Sequence, residues 1–238
     1  MALFLIKRLV QAVPTVLGVV VLIFFFVRAL PGDPARLYAG VDSDITVVNA
    51  VRERFGLDRS LPEQFVRFTV QLARGELGQS FRANRPVGQV MLRHLQPTLV
   101  LGAIAGVLAT IVGVTLGIAA ALRRNSPVDL GITSLSILGI STPSFFLGIL
   151  LIYLFAVNWR VLPVAGSLTP SGLVLPAVTL AAGAIGTIAR FARSSVLETF
   201  GNDYIRTAYA KGLPQRVVIN KHALRNALIP VLTIVGLQ

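Results

Sequence analysis

No cysteine occurs among the 238 residues, which excludes disulfide frameworks, thiolate nucleophiles and soft-metal centres. The only two histidines, His94 and His222, stand far apart and form no ligand cluster, so no metal is expected. Acids are scarce as well, with ten Asp and Glu against 22 Lys and Arg. No paired carboxylates and no Ser-His-Asp set can be assembled from them, so no catalytic residue is expected. None of the lysines, Lys7, Lys211 and Lys221, follows a glycine; a phosphate-cradling G-x-x-x-x-G-K-S/T is therefore missing, and with it any P-loop.

Apolar sequence takes the place of these groups. Hydrophobic residues make up 54% of the chain and charged residues 13%, and the mean hydropathy is +0.76. Together with apolar runs of about twenty residues, this implies an all-α, polytopic bundle of transmembrane helices. The net charge of +12 would suit nucleic acid, but the basic residues cluster beside the apolar runs and no zinc, RNA-binding or basic-zipper pattern accompanies them. The lipid bilayer, with its anionic headgroups, is the partner that this charge implies.

The first apolar run, 9–30, follows Lys7 and Arg8 like a signal peptide. It is too long for one, and a Pro31-Gly32-Asp33-Pro34 turn replaces the small-residue cleavage site, so a retained span is expected. Pro14 lies in its first turns, and Arg28 is expected to snorkel to the far interface. Further spans are expected at 98–122, 132–157 and 173–189, and a fifth opens near Ala227. The residues left before Gln238 are too few to cross about 30 Å of hydrocarbon at 1.5 Å per residue. A fragment is therefore expected, with a re-entrant or partner-packed end as the alternative. Lys7, Arg8, Arg123, Arg124, Arg190, Arg193, Arg206, Lys211, Arg216, Lys221 and Arg225 fall on one side and only Arg160 in the short opposite loop, which puts the amino terminus in the cytoplasm. Three regions follow: 1–30 with the first span, an outer loop at 31–97, and a core at 98–238 with a cytoplasmic loop at about 190–226. Near-helical apolar spacing and turn signals at Gly56, Ser60-Leu61-Pro62, Gly75 and Gly78 predict short helices in the outer loop.

Two features of the spans point to packing. Gly102, Gly106, Gly113 and Gly117 fall at about 0, 40, 20 and 60 degrees around a helix turning about 100 degrees per residue. Such a face drives helix association in lipid, within one subunit, between subunits or along a solute path. In the third span Pro143 stands among Ser141, Thr142 and Ser144, which removes one backbone donor and supplies hydroxyls for the freed carbonyls. That predicts a kink, with a role in lining a path left open.

The most informative segment is NDYIRTAYAKGLPQRVVINKHALRNALIP, from Asn202 to Pro230. Asn202 or Asp203 can cap a short helix through Ala210, Gly212 suits its left-handed carboxyl cap, and Pro214 can begin the next helix. Arg206, Lys211, Arg216, Lys221 and Arg225 step by about five and so surround the corner instead of forming a lipid-binding stripe. Ala208 and Ala210 keep the first helix slim, which would let the groove of another protein approach. A solvated positive loop is the plainer alternative.

RTAYAKG followed by HALRNALIP resembles the EAA loop of binding-protein-dependent ABC importer permeases of the dipeptide, oligopeptide, glutathione and nickel branch. Arg206, Thr207 and Ala208 stand where the family consensus has Glu, Ala, Ala, and Gly212 matches the motif glycine. The proline that the consensus places some ten residues on is replaced by HALR, with Pro230 beyond, a departure typical of the peptide branch. IKRLVQAVPTVLGV, LPGDPARLYAG, FGLDRSLPEQF and GELGQSFRANRPV extend the resemblance over the whole chain in order. The resemblance implies a type I importer permease in the bacterial inner membrane, normally of six spans. It also implies a related second permease, cytoplasmic nucleotide-binding ATPase subunits that hold ATP and Mg, and a solute-binding protein outside, with no cofactor in this chain. Coupling to the ATPase is carried onto Arg206, Thr207, Ala208, Tyr209, Ala210, Lys211, Gly212 and Pro214. Short peptides are the expected cargo, with glutathione or nickel as alternatives. A secondary transporter would need an ionisable group at mid-depth, and the acids avoid the spans; a non-transporting anchor or receptor subunit is the remaining rival.

Overall fold

Between residues 2 and 29 the only charges are Lys7, Arg8 and Arg28, so nothing opposes one long apolar helix: α1 (Ala2–Ala29) runs unbroken through Pro14. The structure is a computed structural model that describes residues 2–40, 42–80, 83, 85–164 and 169–237. Phe81, Arg82 and Asn84 of the outer-loop motif lie outside the described residues. The chain divides into two units, 1–94 and 95–238.

In the first unit α1 is followed by α2 (Pro34–Ala39), α3 (Ile45–Arg54) and α4 (Leu61–Ala73). The Asp33 carboxylate accepts from the Ala35 N–H at 3.0 Å and caps α2, and it pairs with Arg52 of α3 at 2.5 Å. Gly56, Gly75 and Gly78 all have positive φ and end or redirect the helices where turns were expected. A two-residue antiparallel pair, β1 (Gln79–Ser80) with β2 (Arg85–Pro86), is the one departure from an all-α chain among the described residues. Phe24 of α1 is 1% exposed, with Phe65 and Phe68 of α4 at ring distances of 5.1 and 5.6 Å. Within this unit Arg28 has partners of its own: its guanidinium lies 3.6 Å from the Phe24 ring centre one turn back on α1, and its Nε donates to Gln64 Oε1 of α4 at 3.0 Å.

The second unit takes up α5 (Val87–Leu122) from residue 95 and contains α6 (Pro127–Ser141), α7 (Ser144–Leu151), which continues as a π-helical stretch Ile152–Asn158, and α8 (Pro170–Phe200). It closes with α9 (Asp203–Ala210), α10 (Gln215–Val217), a second π-helical stretch Val218–Ala223, and α11 (Leu224–Val235). Among the described residues three helices are long and apolar enough to cross a membrane: α1, α5 and α8. The expected third span is not one rod. α6 and the segment Ser144–Asn158 meet at a 105° bend, a break and not a kink, because Thr142 is extended (ψ 121) and Pro143 cannot donate back to α6. The helices also outrun the expected spans; α8 begins at Pro170, capped by the Thr169 hydroxyl, and continues to Phe200.

Close helix contact is written in glycine at particular points. A Cβ on Gly117 would stand 2.5 Å from the Ala189 carbonyl of α8, and one on Gly113 2.8 Å from Ile188. Gly102 and Gly106 have nothing within 4 Å, so the expected four-glycine seam is two seam positions and two open ones. The difference arises because Ile188, Ala189 and Ala192 of α8 stand directly against Gly113 and Gly117, whereas an open recess lies before Gly102 and Gly106.

Candidate functional site

Asp203 to Leu213 form a self-contained corner. α9 buries Ile205 and Ala208 against Val218 and Ala223 of the second π-helical stretch, with Phe200 and Leu213 closing the cluster. Gly212 takes φ +75; its N–H donates to the Tyr209 carbonyl at 2.9 Å, and the Leu213 N–H to the Ala208 carbonyl at 3.3 Å. This is a Schellman cap, completed by the apolar contact of Leu213 with the helix it ends. Pro214 stands at the amino-terminal cap position of α10. Asn202 occupies the cap position of α9 without a side-chain bond, and Asp203 lies in the first turn, where its charge favours the helix dipole.

Tyr204, Arg206, Thr207, Tyr209, Ala210 and Lys211 are exposed, whereas Ala208 is 5% exposed and faces inward. Ala208 therefore does not thin the outer face for an incoming groove. It is small because the Val218 and Ala223 side lies against it, and the outer face presents two tyrosines and a ring of cations instead. Arg216, Lys221 and Arg225 are likewise exposed around the corner. The corner is tied to the helices behind it. Asn226 Nδ2 donates to the Tyr204 hydroxyl at 3.2 Å. The Ser195 hydroxyl of α8 donates to the Ala227 carbonyl of α11 at 2.7 Å. Phe200 also packs on a second cluster of Ala121, Val196 and Ala227. Side chains in contact thus link α9 to the ends of α8, α11 and α5.

The other candidates are spread elsewhere. Ser141, Thr142, Pro143 and Ser144 form the break between α6 and α7. The Thr142 hydroxyl is spent on the Leu138 carbonyl at 2.7 Å, and Ser144 is among the residues lining an apolar cavity of about 470 Å³ that also touches Gly148, Leu175 and Thr179. Gly102 and Gly106 border a second apolar recess, which Ala181, Ala184 and Val235 share. No group of His, Asp or Glu able to hold a metal occurs among the described residues.

Sequence reading missed one pair. Asp129 of α6 is 4% exposed and accepts from Arg193 Nε at 2.6 Å and Nη2 at 2.8 Å, from the Asn125 N–H at 2.9 Å and from the Thr133 hydroxyl at 3.4 Å. Ser126-Pro127-Val128-Asp129 carries a helix-start pattern, which was the available signal; the partner 64 residues away was not visible.

Two family profiles match in tandem. Residues 1–102 match the amino-terminal part of the membrane component of binding-protein-dependent transport systems, and 113–238 match the inner membrane component itself. Among curated proteins, the glutathione transport system permease proteins of Pectobacterium atrosepticum and Salmonella typhimurium are each 44% identical over 236 residues, covering 99% of this chain and 77% of the relative. That of Escherichia coli is 43% identical over 235 residues with the same coverage. With both profiles matched in order and these identities along nearly its whole length, the chain belongs to the inner membrane components of binding-protein-dependent transport systems, as a multi-pass permease of an ABC importer.

Proposed function

We propose that α9 is the handle by which a cytoplasmic ATPase subunit drives this permease, and that the solute it passes is a small peptide, glutathione first. The corner at Gly212 carries the reading: it holds α9 rigidly with Ile205 and Ala208 inward and Tyr204, Arg206, Thr207, Tyr209 and Lys211 outward. Exposed tyrosines and an arginine on a short helix suit a groove on a partner. Arg123 and Arg124 follow the end of α5, and Arg124 borders the same recess as Phe200 and Tyr209, so these cations and those of the corner fall on one side, which supports a cytoplasmic corner; Lys7 and Arg8 beside the first apolar run support a cytoplasmic amino terminus. ATP and Mg belong to the partner, since no P-loop exists here. A second permease completes the solute path, and a solute-binding protein delivers to the outer mouth. Glutathione is preferred because the relatives that share 43–44% identity are named for it. Dipeptides are the second reading, and nickel follows.

The test is purification of the tagged chain from membranes with its neighbouring transport subunits, followed by uptake of labelled glutathione, dipeptide and Ni²⁺ into proteoliposomes. The expected result is a retained ATPase and ATP-dependent glutathione uptake that falls when Tyr209 is changed to Asp. A chain that never retains an ATPase, or whose uptake ignores Tyr209→Asp, overturns the coupling reading. Dipeptide uptake without glutathione uptake overturns the choice of cargo alone.

A further inference from the structure

Asp129 is the one buried acid among the described residues of the second unit, and all of its bonding is spent at one place. Both oxygens are shared between the Arg193 fork and a second donor, the Asn125 N–H for one and the Thr133 hydroxyl for the other. The turn that presents it is held in place: Asn125 takes φ 60, and the Ser126 hydroxyl accepts from the Asp129 N–H at 3.3 Å. Elsewhere α6 meets α8 through close backbone and apolar contact at glycines. A Cβ on Gly186 would lie 2.4 Å from the Ser136 carbonyl, and one on Gly139 3.0 Å from the Ala182 carbonyl. Such contacts pack closely without any directional bond, whereas a bidentate carboxylate–guanidinium pair fixes both distance and angle.

The two ends of α6 are therefore unlike. Its carboxyl end is released at Thr142–Pro143, where the chain turns by 105°. Its amino end is clasped to Arg193, about two turns before Phe200, the residue that packs into the α9 corner. We propose that the Asp129–Arg193 pair is a positioning clasp through which α8 carries the inner end of α6 when α9 is displaced, with Thr142–Pro143 as the pivot. This rests on α9 as the driven helix. The clasp makes two helices respond as one lever, and without it α8 would slide past α6 with its motion lost.

The experiment uses the complete importer in proteoliposomes and reads solute moved per ATP hydrolysed. Asp129→Asn and Arg193→Gln are expected to lower that ratio about five- to tenfold while ATPase binding and hydrolysis persist. The exchange Asp129→Arg with Arg193→Asp is expected to recover part of it. Arg193→Lys keeps the charge but loses the fork, and is expected to give an intermediate ratio in a folded protein. It decides the matter if the stronger variants do not insert. A wild-type ratio in Arg193→Lys, or lowered abundance and heat stability with an unchanged ratio in the others, makes the pair a structural staple and overturns the proposal. ATPase retention by the wild-type chain reads the α9 assignment separately, so a normal ratio in a variant complex that keeps its ATPase sinks the clasp and leaves α9 standing.

Discussion

Gly117→Ala and Gly102→Ala are expected to change stability in opposite directions, although both glycines lie on the same stripe of α5. At Gly117 the added methyl would stand 2.5 Å from the Ala189 carbonyl oxygen, 2.6 Å from the Ala192 Cβ and 3.1 Å from the Arg193 nitrogen. None of these is the free end of a flexible side chain, so α5 and α8 must part by about 1 Å to restore ordinary contact. Overpacking of this kind costs about 1–3 kcal/mol. Replacing glycine by alanine inside a helix returns about 1 kcal/mol, which leaves a net loss of up to about 2 kcal/mol. At Gly102 nothing lies within 4 Å, so only the gain remains. Thermal denaturation of the detergent-solubilised chain should rank Gly102→Ala above wild type and wild type above Gly117→Ala. Gly106→Ala should follow the first and Gly113→Ala the second, since a Cβ there meets Ile188 at 2.8 Å. If all four alanines move the midpoint the same way by similar amounts, the assignment of two closed and two open positions is wrong.

Gly212→Ala forces a side chain into φ +75 and should destabilise the corner by about 1 kcal/mol, seen as faster proteolytic cleavage near Gly212 with the spans intact. Ala208→Leu overfills the cluster of Ile205, Val218 and Ala223 and should cost about 1–3 kcal/mol, read as faster hydrogen exchange along α9; an unchanged exchange rate would show that Ala208 faces outward after all. Phe24→Ala removes a ring packed on Phe65 and Phe68 and should cost about 3–5 kcal/mol, releasing α4 to proteolysis. Burial works against the charge on Asp33, but the Ala35 N–H and the Arg52 guanidinium outweigh it and hold the carboxyl below its ordinary range. A depressed folded value means that its stabilisation is complete above about pH 4 and disappears as pH falls through the lower folded value. Hydrogen exchange in α2 should therefore be flat in stability from neutrality to mild acid and rise only below it, and Asp33→Asn should abolish that acid step.

The membrane class, the presence of the long apolar helices and the turn chemistry of the corner were readable because they depend on near neighbours in the chain. A run without charges must leave water, Gly212 two residues past Ala210 permits a left-handed cap, and Pro143 withholds a backbone donor just where hydroxyls stand beside it. The tandem of short motifs was sufficient for the family in the same way. Tertiary structure alone decided which face of α9 is inside, turning Ala208 inward and Tyr204 and Tyr209 outward, because that depends on where Val218 and Ala223 return in space. It also decided that Gly113 and Gly117 meet α8 while Gly102 and Gly106 do not, that Arg28 rests on Phe24, and that Asp129 finds Arg193. Helical periodicity tells which residues share a face, but contact energy depends on what another helix brings to that face, and for Asp129 the partner comes from 64 residues away.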